Sequence, residues 1–309
     1  MVFSRDFKTA SGEPGFSLME LVVVVVVLGL ILLALLPARA SSRTKAQSLR
    51  CLDNHRQIIE AVEMFTHDHH DLLPPNPDDG VNIPGYTWCM GEAGIGGSDE
   101  FNPDILADPA RCLVSPYLST NASLFRCTAD TRVGLYDGGA LYPASPLKGQ
   151  KVPAARTISM SQAVGTIDPG YNLGGAGHLG IPNLPVNGPW LTGHYGENNS
   201  RTGPWRTYGK ITQMVIPVPA ELNVITEEAP LSINDASTAT TVNPLNSAWI
   251  DYSSTLHNDG CVLSFADGHV ELHKWATSSM FLSVPPSIRA VPATDPDWLW
   301  FTQRTSARF

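Results

Sequence analysis

The most uniform stretch of the chain is an apolar run near its N-terminus. Residues 21–36 carry no charged side chain and include six consecutive valines. Extended back to Phe16, the run spans about 31 Å as a helix, close to the thickness of a bilayer's hydrocarbon core. Ser17 and Glu20 are its only polar side chains. The pattern predicts a transmembrane helix over residues 16–37.

Two other interpretations of the run stay open. Small residues stand at an A-x-A site, Ala38-Arg39-Ala40, so a secretory signal peptide could be removed there to leave Ser41 as the first residue. The run could also belong to a more specialised assembly helix. Glu20 bears on this choice because a carboxylate costs roughly 2.5–3.5 kcal/mol at the centre of a bilayer and less near the interface.

Beyond the run, apolar residues continue at helical spacing. Leu49, Leu52, Ile59 and Val62 recur three and seven positions apart with charged residues between them. This predicts an amphipathic continuation of the helix over residues 38–73, with its apolar face packed on a sheet. Two prolines at positions 74 and 75 end it.

The strongest strand signal lies near the C-terminus. Residues 262–265 and 270–273 alternate apolar and polar positions around Asp267-Gly268, a pair that favours a tight hairpin turn. Shorter strands are predicted near residues 157–160, 210–216 and 222–226. The proline-containing tail that follows position 284 is predicted to be extended or loosely packed.

Composition narrows the function classes. The chain has 26 glycines, 25 prolines, 16% charged residues and a formal net charge of −9. This balance argues against nucleic-acid binding through a basic surface. It also predicts long loops around modest secondary structure, including an irregular insertion within residues 165–205.

Glu20 gains a second meaning if the chain is cut after Gly15. Phe16 would then carry a new α-amino group with a pKa near ~8, one helical turn before Glu20. The carboxylate of a neighbouring copy could neutralise that amine inside a bundle of such helices. Otherwise Glu20 simply marks the start of the helix.

The segment Gly15-Phe16-Ser17-Leu18-Met19-Glu20, followed by the apolar run, resembles the processing site of type IV prepilins and type II secretion pseudopilins. The resemblance implies that residues 1–15 are a cytoplasmic leader. It implies that a prepilin peptidase cuts after Gly15 and methylates Phe16, and that Glu20 serves in assembly.

Three later segments resemble bacterial proteins processed in the same way. They are the Cys-x-x-Asn-x-x-Gln-Ile stretch at residues 51–58, the "PYL … F-x-C" stretch at residues 116–130, and an H-x9-D-G segment formed by His257, Asp267 and Gly268. The implied fold is α+β and pilin-like, with a long N-terminal transmembrane helix packed on a small antiparallel sheet with large loop insertions. Residues 74–309 would form an exported α+β domain, with the H-x9-D-G hairpin near residues 257–273.

The resemblance implies a non-enzymatic subunit or minor component of a type IV pilus-like or type II secretion pseudopilus filament. Its partners would be a prepilin peptidase, other pilin or pseudopilin subunits, inner-membrane assembly machinery and the membrane. The protein would be a single-pass protein of the bacterial inner membrane, with its C-terminal domain periplasmic or extracellular. One alternative is a membrane-anchored or secreted binding module with a ligand pocket in the 165–205 insertion, and another is an exported metal-dependent hydrolase.

Metal binding is weakly signalled. The histidines show no compact zinc-ligand spacing, so no metal is predicted, and His257 is expected to bond to the hairpin or its turn. By the resemblance, calcium is possible through Asp259, Asp267 and backbone carbonyls. The pairing of the cysteines stays open, a Cys112–Cys127 bridge being one possibility; they are Cys51, Cys89, Cys112, Cys127 and Cys261.

Overall fold

The computed structural model describes residues 15, 17–77, 83–167, 184–198, 203–284 and 287–309, and of residues 31–43 it describes the backbone alone. The predicted leader lies outside the described residues except for Gly15. So do Phe16 and the 168–183 and 199–202 parts of the predicted insertion. The chain divides into two compact units, Met1–Lys45 and Ala46–Phe309.

The first helix, α1, is Leu18–Asp68 and contributes to both units. A helix needs about 20 predominantly apolar residues to cross a bilayer. In the described part of the chain, no helix is both long enough and apolar enough to do so. The prediction of a transmembrane helix over residues 16–37 is therefore wrong. The pilin-like fold class was built on that helix and is wrong as well. The same finding contradicts the predicted location as a single-pass inner-membrane protein with a periplasmic or extracellular C-terminal domain.

The second half of α1 is amphipathic. Its buried side chains recur at spacings of three and four, which places them on one side of the helix; they are Cys51, His55, Ile58, Val62 and Phe65. Leu49 was predicted on this face but is 59% exposed, because it stands two residues from Cys51 and points to the other side. The helix ends at Asp68, shortly before His70 and Asp71 adopt left-handed backbone angles.

The strands are short. In chain order they are β1 Val133–Leu135, β2 Lys151–Pro153, β3 Ile158–Ser161, β4 Thr166–Ile167, β5 Leu184–Pro185, β6 Asn223–Glu227, β7 Ser237–Thr238, β8 Ala248–Trp249, β9 Gly260–Phe265, β10 Val270–Lys274 and β11 Arg289–Ala290. The largest sheet has the order β10-β9-β6-β3-β7, and the other strands pair as β1-β2, β4-β5 and β8-β11.

The large sheet is mixed. Its β10-β9, β9-β6 and β6-β3 pairs are antiparallel, whereas β3 and β7 run parallel. The protein is therefore α+β, but the prediction of a purely antiparallel sheet is wrong. A parallel neighbour requires a crossover connection, and the 75-residue stretch between β3 and β7 supplies it while also forming β6.

The predicted C-terminal hairpin is confirmed. β9 and β10 pair antiparallel, with Leu263 opposite Glu271, and the Asp267-Gly268 pair lies in the turn. The predicted strand over residues 210–216 is wrong: Ile211–Gln213 forms a 3-10 helix there. Other 3-10 helices are Ser115–Leu118, Ala122–Phe125, Pro219–Glu221, Pro244–Asn246 and Ser278–Met280.

Two apolar cores lie around the large sheet. The first combines Ile58 and Val62 of α1 with side chains such as Met160 of β3 and Ile225 of β6. The second is aromatic and includes Trp249, Trp275, Trp298 and Phe301. Two short helices, α2 Asp104–Ala107 and α3 Pro296–Thr302, complete the second unit.

The tail is packed, contrary to the prediction of an extended segment. Trp298 and Phe301 of α3 are buried in the aromatic core. The Asp297 carboxylate accepts hydrogen bonds from the backbone N–H groups of Ala276 and Thr277, both at 2.8 Å, which ties α3 to the segment after β10.

Candidate functional site

Four buried side chains with metal-binding atoms meet beside the large sheet. Cys51 lies on α1, and Cys127 follows the 3-10 helix Ala122–Phe125. Glu227 is the last residue of β6, and His257 precedes β9. We call this group the Cys-His-Glu cluster; one ligand atom from each residue lies within 4.8 Å of every other.

The atoms of the cluster are in close contact. The Sγ atoms of Cys51 and Cys127 are 3.1 Å apart. His257 Nε2 lies 3.2 Å from Cys127 Sγ and 3.3 Å from Glu227 Oε2. The other ring nitrogen of His257, Nδ1, lies 3.0 Å from Ser48 Oγ on α1, which fixes the plane of the imidazole. The backbone N–H of His257 donates to the carbonyl of Gly260 at the start of β9, at 3.1 Å, in agreement with the expected bond to the hairpin. Its side chain contacts α1 and the cluster.

Backbone N–H groups point at both sulfurs. The Thr128 N–H donates to Cys51 Sγ, and the Ala129 N–H donates to Cys127 Sγ, each at 3.2 Å. Hydrogen bonds of this kind favour the thiolate over the thiol. The backbone that follows Cys127 thus supplies hydrogen-bond donors that stabilise negative charge on the two sulfurs.

The cluster brings acidic and basic side chains together in a buried space. Burial alone would lower the pKa of His257, yet hydrogen bonds to Cys51 and Glu227 raise it to about 10. Burial opposes ionisation of Glu227, but the bond to His257 outweighs it and the pKa of this carboxyl is lowered. Hydrogen bonding to Cys127 lowers the pKa of Cys51 to about 5, while burial raises the pKa of Cys127.

The H-x9-D-G residues divide between the two ends of β9. His257 belongs to the cluster, whereas Asp267 and Gly268 form the turn to β10 at the opposite end. Gly268 has a φ of 84°, and its N–H donates to the Phe265 carbonyl at 3.0 Å. Asp267 accepts a hydrogen bond from the His269 N–H. Glycine is favoured here because a β-carbon would be strained at this φ.

A calcium site shared by Asp259 and Asp267 is not formed. Asp259 directly precedes β9 and Asp267 follows it, so the length of that strand separates them by about 20 Å. The Asp267 carboxylate instead accepts hydrogen bonds from the neighbouring His269, and these lower its pKa although partial burial alone would raise it.

The predicted processing region lies at the N-terminal end of α1. Gly15 is exposed, and no heavy atom of the described residues lies within 4 Å of where its β-carbon would be. Ser17 donates from its backbone N–H and its hydroxyl to Glu20 Oε2, at 2.8 and 2.9 Å. The Glu20 N–H donates back to Ser17 Oγ, which completes a capping box. These bonds lower the pKa of Glu20.

The start of α1 is apolar on all its sides. Leu18 is 81% exposed and Leu30 is 61% exposed. The valines between them, residues 22–27, are exposed as well. We call residues 18–30 the apolar segment.

The cysteines fall into two neighbouring pairs and a single residue. Cys51 adjoins Cys127, and Cys89 lies opposite Cys112 in an antiparallel bridge. All five are buried and free. A Cys112–Cys127 bridge, one of the possibilities open from the sequence, is therefore not formed.

Two open pockets lie on the described surface. One of about 420 Å³ is lined by Phe101 and Tyr136 among others, and one of about 460 Å³ by Tyr142 and its neighbours. Both are formed by residues between positions 96 and 146. The binding-module alternative placed its ligand in the 165–205 insertion, and much of that insertion lies outside the described residues.

From the sequence, only His257 of the cluster was named as a candidate site residue. Its proximity to Cys51, Cys127 and Glu227 was not predicted. The stretches around Cys51 and Cys127 were both noted, so two signals were present without a reason to join them. Glu227 carried no signal, since an acid at the end of a short strand is most simply exposed. No protein-family model, curated protein or solved structure matches this chain.

Proposed function

We propose that this protein is a non-enzymatic subunit or minor component of a type IV pilus-like or type II secretion pseudopilus filament, processed by a prepilin peptidase. The observation that carries the proposal is the apolar segment, residues 18–30, whose side chains are exposed around the whole helix. Other copies of the same segment are its proposed partners.

The chemistry of the segment supports this choice of partner. Full burial of a valine or leucine side chain contributes about 1.5–3 kcal/mol, so a bundle of such helices would be strongly stabilised. A helix that is apolar on every side suits neighbours on every side, as in the centre of a filament. A helix that packs on a globular partner with one face needs only a stripe of apolar side chains along that face.

Glu20 supplies the specific contact. Both hydrogen bonds from Ser17 use Oε2 of Glu20. Within the described residues, Oε1 therefore remains available to a neighbour. Cleavage after Gly15 would give each copy an α-amino group on Phe16, and that ammonium would pair with the Glu20 carboxylate of the next copy. The contact fixes the axial register of adjacent helices while apolar packing holds them together.

The first experiment determines the intact mass and N-terminal sequence of the protein produced with and without a prepilin peptidase. We expect a chain that starts at methylated Phe16 only when the peptidase is present. Gly15→Leu should abolish cleavage, and Gly12→Leu in the leader is the matched control that should not. A chain that starts at Ser41 in both preparations would contradict the proposal and favour the binding-module alternative.

The second experiment follows assembly of the processed chain by sedimentation. Glu20→Gln should reduce the fraction in large assemblies, because an uncharged amide pairs weakly with the Phe16 ammonium. Glu60→Gln, an exposed acid later on the same helix, is the control and should assemble normally. Equal assembly of the two variants would remove Glu20 from the mechanism.

A further inference from the structure

We propose that Cys51, Cys127, Glu227 and His257 form a structural metal site that takes Zn²⁺. The proposal concerns the globular unit and is independent of the filament role. Four segments of the chain supply one ligand each, and every ligand is buried.

The ligand set selects the metal. Two thiolates and an imidazole suit zinc, which is borderline soft, whereas calcium and magnesium take oxygen ligands. With Zn–S distances of about 2.3 Å and Zn–N distances of about 2.0 Å, neighbouring ligands of a tetrahedral site lie about 3.3–3.8 Å apart. The S–S contact of 3.1 Å is about 0.7 Å shorter than expected for two sulfur ligands, the N–S contact of 3.2 Å is about 0.3 Å shorter, and the N–O contact of 3.3 Å agrees. Binding of the ion therefore requires the two sulfurs to move apart.

Groups next to the four ligands hold them in orientation through hydrogen bonds, as residues around a bound metal ion do. The contact between Ser48 and His257 Nδ1 leaves Nε2 facing the sulfurs. Each sulfur receives a backbone N–H. Glu227 Oε2 accepts the Val262 N–H at 3.0 Å. Glu227 Oε1 is buried and has no hydrogen-bond partner among the described residues, so this carboxylate keeps an unsatisfied acceptor.

A disulfide between Cys51 and Cys127 is the competing use of the two sulfurs. It would leave Glu227 Oε1 without a partner, and a disulfide sulfur is a poor acceptor for the two N–H donors. A metal ion uses all four groups at once. Four protein ligands and full burial leave no open position for a substrate, which defines a structural rather than a catalytic centre.

Metal analysis of the full chain tests the site. The protein is purified under reducing conditions, supplied with Zn²⁺, passed through a desalting column and measured by mass spectrometry of the elements. We expect about one tightly held Zn²⁺ per chain. Replacement by Co²⁺ should give a thiolate-to-cobalt charge-transfer band in the near ultraviolet and strong visible bands of tetrahedral cobalt.

Cys51→Ser should lower the charge-transfer intensity to about half, since one of two sulfur ligands is lost. Cys89→Ser is the matched control, because Cys89 is buried beside Cys112 and outside the cluster; its cobalt spectrum should equal that of the wild type. If Cys51→Ser does not fold, the wild-type spectrum decides alone. Absence of thiolate–cobalt absorption in the reduced wild type, or a Cys51–Cys127 disulfide in a second preparation purified without reductant, would overturn the proposal.

Discussion

His55 shows how strongly burial controls a single side chain in this protein. It lies one helical turn after Cys51, with Nδ1 3.0 Å from Ser264 Oγ of β9. Its Nε2 is buried without a hydrogen-bond partner in the described part of the chain. Burial lowers the pKa of His55 to about 4; Glu227 raises it and His257 lowers it further. The folded protein therefore keeps this imidazole neutral at a pH where a free histidine is protonated.

This predicts a pH-dependent stability. The unfolded chain protonates His55 below its usual pKa of 6.5, whereas the folded chain resists until about pH 4. The unfolded state thus binds more protons at His55 in this window. Glu228 acts in the opposite direction, because burial raises its pKa to about 7. The contribution of His55 alone to the free energy of unfolding should fall by up to about 3 kcal/mol as the pH drops from 6.5 to 4. Urea denaturation at several pH values measures this loss.

The comparison of two variants isolates the contribution of His55. As the pH falls from 6.5 to 4, the unfolding free energy of His55→Gln should rise relative to that of the wild type, because the variant lacks this loss. His67→Gln on the same helix is the control, because the His67 side chain is 92% exposed and its removal should leave the slope unchanged. Identical slopes for the wild type and His55→Gln would show that His55 is not the group responsible.

At the scale of elements, local patterns were sufficient for α1 and for the hairpin. A helix buries every third or fourth residue, and an Asp-Gly turn between alternating strands needs no distant partner. The tail was mispredicted because its prolines suggested an open chain. Proline at the first position of a helix is favourable, and Pro296 occupies that position in α3, where Asp295 caps the first turn.

The packing of α3 is open to a direct test. Trp298 is 1% exposed, so Trp298→Ala should lower the free energy of unfolding by about 3–5 kcal/mol through lost burial and the cavity left behind. Trp300→Ala is the matched control, since Trp300 is half-buried and stacks on His273 at the edge of the aromatic core. Urea denaturation should show a clearly smaller loss for this variant, and equal losses would contradict the assigned packing.

At the scale of the whole molecule, the cluster lay beyond sequence reasoning because its residues come from four distant segments. Cys51 and Cys127 are 76 positions apart, and Cys127 and His257 are 130 apart. The packing of α1 and of the loops that carry Cys127 and His257 against the sheet brings them together, and neither spacing nor composition specifies that packing. The parallel pairing of β3 with β7 could not be predicted from the sequence either, since it depends on a long crossover connection.

The division into two units predicts the behaviour of a shortened chain. Ala46–Phe309 keeps both apolar cores, the large sheet and all four cluster residues. We expect it to fold with a cooperative thermal transition and to sediment as a monomer, while the full chain associates through its apolar segment. Circular dichroism and analytical ultracentrifugation measure the two properties. An unfolded fragment, or one that associates as strongly as the full chain, would contradict this division.

The spacing of the cluster residues also sets an order of events during synthesis. A growing chain that has passed Cys127 can bring two sulfurs together, but the imidazole arrives only with residue 257, after four-fifths of the protein has been made. Contacts between groups so distant along the chain form slowly, because a long loop must close first. A chain that stops before residue 257 therefore lacks the imidazole ligand and cannot complete the proposed metal site.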